Sequence, residues 1–236
     1  MSAVLTPPET PAAPVPPARP IVSKPLETSV APVVAEARFV LPDVSWATYE
    51  QLLANYENSG GPRFTYNNGA LEIFMPSQSH EETNRLFEVL VSAIAEGRDL
   101  DLRSLGSTTN KSRELLKGVE PDSCFYIQSY ELIANLDNID LRQYPPDLVI
   151  EIDVTSPSLD KFPIYAALGV PEIWHHQNGR TKIFALQAGA YQEAAASQAL
   201  TGVTGAILDQ FLAASRDTRR PAWLRGIREW AQGKQE

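Results

Sequence analysis

The alternation of hydrophobic and polar residues predicts a folded region of helices and strands that begins near residue 38. Ser45 is a favourable N-cap, and apolar residues follow it at helical spacing, which predicts a first helix. Residues 63–66 and 70–75 have a strand-like composition and are joined by Asn67-Asn68-Gly69, which is typical of a hairpin turn. The folded region is therefore predicted to begin with a helix and a β-hairpin.

The longest predicted helix spans residues 79–96. Its apolar residues recur at spacings of three and four, as in a helix with one buried face, and they are Phe87, Leu90, Val91 and Ile94. Ser79 and Glu82 have the spacing of a capping box, which predicts the N-terminus of this helix.

Farther along the chain, short apolar runs alternate with helical patterns. The apolar runs predict strands at 100–105, 123–127, 148–154, 172–176 and on both sides of a turn at 188–190. Helices are predicted at 162–168, 208–213 and 222–232. The remaining stretches predict a polar loop at 106–114 and an irregular connection at 130–144. This order predicts an α/β fold in which helices flank a mixed central β-sheet.

The strand at 148–154 carries the strongest chemical signal, because Glu151 and Asp153 lie inside an otherwise apolar run. Side chains two apart on a strand point to the same face, so both carboxylates face one way, about 6.6 Å apart. An acid in an apolar strand is unfavourable unless it is paired, protonated or bound to a cation. Asp147 lies about 13 Å from Glu151 by the same rise, and we rank it lower as a site residue.

Composition narrows the class of protein. The chain has 236 residues and a formal net charge of −9, which is unlike a surface that coats nucleic acid through broad positive charge. One cysteine excludes an internal disulfide framework, and three histidines disfavour a histidine-rich metal site. No apolar run is long enough for a membrane span. Residues 1–36 are rich in Pro and Ala without a secretory apolar core, which predicts a disordered leader and a cytoplasmic protein.

Four side chains are predicted to form one site. Asp122 stands at the start of a predicted strand, Glu151 and Asp153 share a strand face, and Lys161 precedes the next helix. Clusters of carboxylate oxygens suit Mg²⁺ or Mn²⁺. A metal held by Asp122 and Glu151 would orient water and offset the charge that builds up on a phosphodiester, and Lys161 would add to this stabilisation.

Several motifs follow one another over roughly residues 38–215. They are Gly106-Ser-Thr-Thr, Gly118-Val-Glu-Pro-Asp122, Pro146-Asp-Leu-Val-Ile-Glu151, Ser156-Pro157-Ser158, Lys161-x-x-x-Tyr165 and Gly169-Val-Pro-Glu-Ile-Trp174. Together they resemble the Uma2 (DUF820-type) family of bacterial restriction-endonuclease-like proteins, which have the PD-(D/E)XK fold. The predicted organisation is therefore a leader at 1–36, this core at 37–215 and a C-terminal amphipathic helix at 216–236.

Residue by residue, the resemblance implies that Asp122 is the aspartate of the PD motif and Glu151 the acid of the D/E-x-K motif. Asp153 stands where the usual motif has lysine, and the resemblance implies that Lys161 on the following helix replaces that lysine. The implied function is a Mg²⁺- or Mn²⁺-dependent endonuclease that hydrolyses phosphodiester bonds in DNA. A homodimer is the expected assembly for an enzyme that cuts both strands.

Other polar residues have structural interpretations beside functional ones. The resemblance offers Glu81 or Glu82 as an auxiliary acid, although a capping partner or a first-turn acid explains either residue. His80 is predicted to be a surface or first-turn residue. Lys111 and Arg113 are candidates for phosphate contact, with a solvated loop as the simpler interpretation.

The aromatic and cysteine side chains near these motifs are predicted to belong to the core. This applies to Tyr165, Trp174 and Cys124, with a hydrogen bond from Tyr165 to a site residue as an alternative. His175 and His176 are adjacent on a predicted strand, so at most one of them faces the acidic cluster.

Two other functions stay open at the level of sequence. One is a binding or assembly module with the same fold, in which the acids are structural. The other is a metal-dependent hydrolase of a small phosphorylated molecule, which the sequence pI of about 4.9 suits better than DNA does.

Overall fold

The computed structural model describes residues 36–57, 61–153 and 159–233. The predicted leader, apart from residue 36, and the motif at 156–158 lie outside these described residues. The described strands are β1 (Ala37–Leu41), β2 (Arg63–Asn67), β3 (Ala70–Met75), β4 (Arg103–Gly106), β5 (Asn110–Ser112), β6 (Lys117–Val119), β7 (Ser123–Tyr126), β8 (Leu148–Asp153), β9 (Glu172–Gln177), β10 (Arg180–Gln187) and β11 (Ala190–Ala194). The described helices are α1 (Trp46–Tyr56), α2 (Gln78–Gly97), α3 (Tyr130–Ile133), α4 (Phe162–Ala167), α5 (Gly205–Asp217) and α6 (Arg220–Ala231).

Two sheets organise the described residues. The larger has the strand order β11-β10-β9-β8-β7-β4. It is mixed, because β8 and β9 are parallel whereas its other neighbouring strands are antiparallel. The smaller sheet is antiparallel and has the order β1-β3-β2-β6-β5. A parallel pair needs a crossover connection, and α4 lies on the connection from β8 to β9. The predicted α/β fold with a mixed sheet flanked by helices is confirmed.

The central strand β8 separates two apolar clusters, as its alternation predicts. Ile150 and Ile152 pack with the stripe of α2 and with residues of α5 and α6. Val149 faces the other way, into a cluster that includes Ile164 and Ile173. The four predicted stripe residues of α2 are fully buried, and burying one such side chain stabilises a fold by about 1.5–3 kcal/mol.

The predicted first helix and hairpin are confirmed, but the strand β1, which was not predicted, precedes them and pairs with β3. The Ser45 hydroxyl accepts a hydrogen bond from the backbone N–H of Thr48, at 3.1 Å, and so caps α1. Strands β2 and β3 pair with Asn67 opposite Ala70. The intervening residues have positive φ, 48° at Asn68 and 96° at Gly69. Positive φ at both central residues is the geometry that Asn-Gly turns favour.

The start of α2 differs from the prediction. Its N-cap is Ser77, whose hydroxyl accepts from the backbone N–H of His80 at 3.2 Å, and not Ser79. Glu82 accepts a hydrogen bond from the side chain of Gln78 at 2.6 Å, so it is no capping-box partner of Ser79. The capping-box spacing was misleading because a second serine lies two residues upstream, at the point where the chain turns.

Two stretches predicted to be without regular structure contain short elements. Within 106–114, β5 pairs with β6, which places Asn110 opposite Val119. Within 130–144, the single turn α3 is present. Both elements are too short to produce a recognisable period in the sequence.

Among the described residues, no helix is long and apolar enough to cross a membrane.

Candidate active site

The pairing of β7 with β8 brings two acids together that are far apart in sequence. Asp122 directly precedes β7, and Ser123 is paired with Ile150 on β8. Asp122 Oδ2 accepts a hydrogen bond from the backbone N–H of Ile152 at 2.7 Å. This contact anchors the Asp122 carboxylate beside Glu151, and both side chains are almost fully buried.

The Asp122 carboxylate is held ionised by cationic neighbours. Its Oδ1 hydrogen-bonds His80 Nε2 at 2.8 Å and also accepts from Arg63 Nη1. Burial opposes ionisation, but the bond to His80 and the charges of His80, Arg63 and Lys161 outweigh it and lower the pKa of Asp122. Asp122 is therefore a carboxylate in the neutral pH range.

Glu151 is held by the two groups that the sequence places one helical turn apart. Lys161 Nζ donates to Glu151 Oε2 at 2.6 Å, and the Tyr165 hydroxyl donates to Oε1. Burial and the nearby charge of Asp122 raise the pKa of Glu151, although Lys161 opposes this shift. Burial lowers the pKa of Lys161, yet the charges of Glu151 and Asp122 outweigh it and raise the pKa overall. The predicted alternative, a hydrogen bond from Tyr165 to a site residue, is confirmed.

Asp153 shares the face of Glu151 but has different partners. Its Oδ1 accepts from Arg38 Nη2 at 2.9 Å, and its Oδ2 hydrogen-bonds His175 Nε2 at 2.8 Å. Burial opposes ionisation, but His175 and Arg38 lower the pKa of Asp153. His176 instead hydrogen-bonds Thr181 at 2.9 Å, so one histidine of the pair faces the acids, as predicted.

Of the two alternatives predicted for His80, the first-turn position is confirmed and the surface position is not. His80 lies in the first turn of α2, but its side chain is fully buried. Its Nδ1 hydrogen-bonds Glu36 at 2.9 Å while its Nε2 hydrogen-bonds Asp122. Burial lowers the pKa of His80, and the contacts with Asp122 and Glu36 outweigh it and raise the pKa.

Three residues of the site were not found from the sequence. Arg63 bridges Asp122 and Glu81, and its Nη2 lies 2.5 Å from Glu81 Oε1. Glu72 is fully buried, accepts from the backbone N–H of Leu159 at 2.7 Å and pairs with Arg38, the third missed residue. A signal for Glu72 was present, because it is an acid inside an apolar strand, as Glu151 is.

Other candidates lie away from this cluster or have structural partners. Lys111 and Arg113 both pair with Glu50 on α1. Cys124 is in the core, as predicted, and burial raises the pKa of its thiol to about 12. Asp147 accepts hydrogen bonds from the backbone of residues 127 and 129, which agrees with its lower rank.

Two cavities border the site. One, of about 360 Å³, has Glu151, Asp153, Lys161 and His175 among its lining residues. The other is a groove of about 1040 Å³ between α1, the hairpin and the start of α2, and its lining includes Arg63. The acid cluster therefore borders the smaller cavity directly and contacts the larger groove through Arg63.

The carboxylates of the site are the type of ligand that a hard divalent cation binds, but hydrogen bonds within the chain already occupy their oxygens. Among residues 36–57, 61–153 and 159–233, no group of three or more His, Cys, Asp or Glu side chains is arranged to hold a metal. Mg²⁺ often binds through only one or two carboxylates, with water and substrate phosphates completing its shell. Asp122 and Glu151 supply such carboxylates, although each of their oxygens already accepts a hydrogen bond. Asp122 and Glu151 can hold the ion if an N–H donor leaves one of their carboxylate oxygens.

A family model described as "Uma2: Putative restriction endonuclease" matches residues 34–214. The chain belongs to the Uma2 family, and the resemblance inferred from its motifs is confirmed.

Comparison with solved structures gives a more distant likeness. The chain is similar to a protein from Anabaena variabilis ATCC 29413, described as "a putative nuclease belonging to DUF820". The two are 15% identical with a TM-score of 0.44, over 68% of this chain and 90% of the other. No curated protein matches the chain.

Proposed function

We propose that this protein is a divalent-metal-dependent endonuclease that hydrolyses phosphodiester bonds in DNA. The observation that carries the proposal is the meeting of buried Asp122, Glu151 and Lys161 at the junction of β7, β8 and α4. Its family is described as a putative restriction endonuclease, which supports a nuclease. Restriction-endonuclease-like proteins usually use a divalent metal, and Mg²⁺ or Mn²⁺ is the ion proposed here.

Each residue has a role set by its charge and surroundings. Asp122 and Glu151 would hold the ion, which would lower the pKa of a bound water and offset charge on the phosphate. Lys161 keeps its positive charge, because its pKa is raised, and it would stabilise the negative charge that develops on the phosphoryl oxygens. Asp153 lines the same cavity as Glu151 and enters the proposal as a further ligand or as an acceptor for metal-bound water.

A binding module without catalysis is the second candidate. The observation in its favour is that the carboxylate oxygens of Asp122 and Glu151 all accept hydrogen bonds within the chain. In that case the acids and cations would be structural, and no ion would bind them specifically.

Cleavage and metal binding together test the proposal. The full chain would be incubated with supercoiled plasmid, single-stranded DNA and RNA in Mg²⁺ or Mn²⁺, and Mn²⁺ binding would be followed by calorimetry. We expect plasmid nicking that Glu151→Gln abolishes and that Glu193→Gln leaves unchanged, since Glu193 is an exposed acid paired with Lys182. Neither cleavage nor Mn²⁺ binding in the wild type would favour the binding module.

Two further outcomes refine the substrate and the assembly. If nucleotides compete fully with DNA for the site and are themselves hydrolysed, the protein is a hydrolase of small phosphorylated molecules. Sedimentation equilibrium tests the proposed homodimer, which would place two sites on one duplex.

A further inference from the structure

Arg63 joins the acids of the site to the large groove. It is the first residue of β2, and its guanidinium forks between Asp122 and Glu81, which lie on two other segments. Its side chain is 15% exposed, whereas that of Asp122 is 2% exposed. Arg63 also lines the groove of about 1040 Å³. The Arg63 guanidinium thus joins a buried carboxylate to the groove.

The donors to Asp122 differ in their freedom to leave. His80 is fully buried and is held on its other side by Glu36. The backbone N–H of Ile152 is fixed within β8. Arg63 alone of these three partners faces a groove into which its guanidinium can rotate. A divalent cation that needs Asp122 Oδ1 would therefore take the place of Arg63.

A phosphate group that enters the groove would give Arg63 another anion to bind when its guanidinium leaves Asp122. Guanidinium groups bind phosphate through two parallel hydrogen bonds and with full charge, as they bind carboxylate. The hydroxyl residues Ser107 and Thr108 line the same groove, as do the cations Arg85 and Lys111 and the acids Glu50, Glu57, Glu81 and Glu120. A phosphodiester in the groove would thus meet cations and neutral donors beside four carboxyl groups.

We propose that Arg63 occupies the metal position on Asp122 in the free protein and leaves it to bind a backbone phosphate when a nucleic acid enters the groove. This inference rests on the proposed function, since it names the group that couples metal and substrate at the same site. Arg63 is a substrate-binding residue that also controls access of the ion to Asp122. Because coupling between two ligands is reciprocal, metal and nucleic acid each strengthen the binding of the other.

Calorimetric titration of Mn²⁺ into the full chain without nucleic acid tests the first half of the proposal. Removing a charge-assisted hydrogen bond that competes for Asp122 corresponds to about a tenfold gain in affinity or more. We expect Arg63→Gln to bind Mn²⁺ at least about tenfold more tightly than the wild type. Arg228→Gln is the matched control, because Arg228 pairs with Glu96 away from the site, and its Mn²⁺ affinity should equal that of the wild type.

A second titration tests the coupling. A DNA duplex with phosphorothioate linkages, which resists cleavage, would be present at saturation, and the heat of Mn²⁺ binding to the duplex alone would be subtracted. We expect the duplex to raise the Mn²⁺ affinity of the wild type by a larger factor than that of Arg63→Gln. The variant should also bind the duplex more weakly without metal, with a salt dependence reduced by about one phosphate contact.

A folding control keeps the outcome decisive. Should Arg63→Gln fail to fold, Arg63→Lys retains the charge but loses the fork, and it should show a smaller gain in Mn²⁺ affinity. Mn²⁺ affinity equal to or below that of the wild type in the folded variant would overturn the proposal. Absence of DNA cleavage by a wild type whose Arg63→Gln variant gains Mn²⁺ affinity would refute the nuclease and leave the role of Arg63 standing.

Discussion

Two buried glutamates on neighbouring parallel strands have opposite kinds of partners. Glu172 on β9 accepts hydrogen bonds from Trp174 Nε1 at 2.7 Å, the Ser197 hydroxyl at 2.5 Å and the backbone N–H of Gln198 at 2.6 Å. All of these donors are neutral. Glu151 on β8 is held by the cation Lys161 and by a tyrosine hydroxyl, next to a second carboxylate and a cavity.

Under the proposed function, the partners of a buried acid distinguish the two glutamates better than their burial does. Neutral donors, two of them side chains and two of them backbone N–H groups, hold the Glu172 carboxyl group in one place, which locks the strand to the loop beyond β11. Cationic side chains beside a cavity can exchange their partner for a metal ion or a phosphate. In our interpretation Glu172 has a structural role, and Glu151 takes part in the proposed reaction.

The largest expected effect is on catalysis, when the lysine that binds Glu151 loses its charge. Lys161→Met keeps the length of the side chain and removes its charge, so cleavage should fall by about 100- to 1,000-fold under single-turnover conditions. Lys182→Met is the control, because Lys182 is exposed and pairs with Glu193 at 2.8 Å. An unchanged cleavage rate in Lys161→Met would remove this lysine from the reaction and weaken the contrast with Glu172.

The next effect is on stability at Glu172. Glu172→Ala leaves the donors of Trp174, Ser197 and Gln198 buried without an acceptor, and it should destabilise the fold by about 3 kcal/mol or more in urea unfolding. Mn²⁺ should raise the unfolding midpoint of this variant and that of the wild type alike. Glu151→Ala should lose that Mn²⁺-dependent shift. Equal responses of both variants to Mn²⁺ would contradict the distinction between the two acids.

A matched pair of hydroxyl deletions sharpens the comparison further. Tyr165→Phe and Ser197→Ala each remove one hydroxyl donor from a buried glutamate, at a cost of about 1.5 kcal/mol in stability. Because the Tyr165 hydroxyl favours the ionised form, its loss should raise the pKa of Glu151 further. The acid limb of the cleavage profile should then move to higher pH in Tyr165→Phe and stay in place in Ser197→Ala.

The smallest expected effect is on the pH dependence of stability, which should have opposite signs for His80 and His176. Contacts with Asp122 and Glu36 outweigh burial and raise the pKa of His80, so its contribution to stability is present below about pH 6.5 and is lost as pH rises through the folded pKa. Burial lowers the pKa of His176, so stability is lost as pH falls below about 6.5. Urea midpoints of His80→Gln and His176→Gln, subtracted from wild type between pH 5 and 8 (roughly the range of histidine titration), should slope in opposite directions.

Local patterns predicted much of the fold. The α2 stripe, the Asn-Gly hairpin and the alternation of β8 all follow from the periods of helix and strand, which depend on neighbours within a few residues. The same alternation placed Glu151 and Asp153 on one face, and both line the same cavity. The cap of α2 was missed because two serines competed for it, and β5 was missed because three residues are too few to show a period.

The sequence by itself determined most of the strands and helices, the position of Glu151 inside a buried apolar strand and the family that the chain resembles. Only the tertiary structure decided which cations neutralise those acids. Arg63 reaches Asp122 across 59 positions, and Arg38 reaches Asp153 across 115. Such pairs depend on how β1 and β2 of one sheet lie against β7 and β8 of the other. No local period encodes that arrangement, because it arises from packing between elements that are distant in the chain.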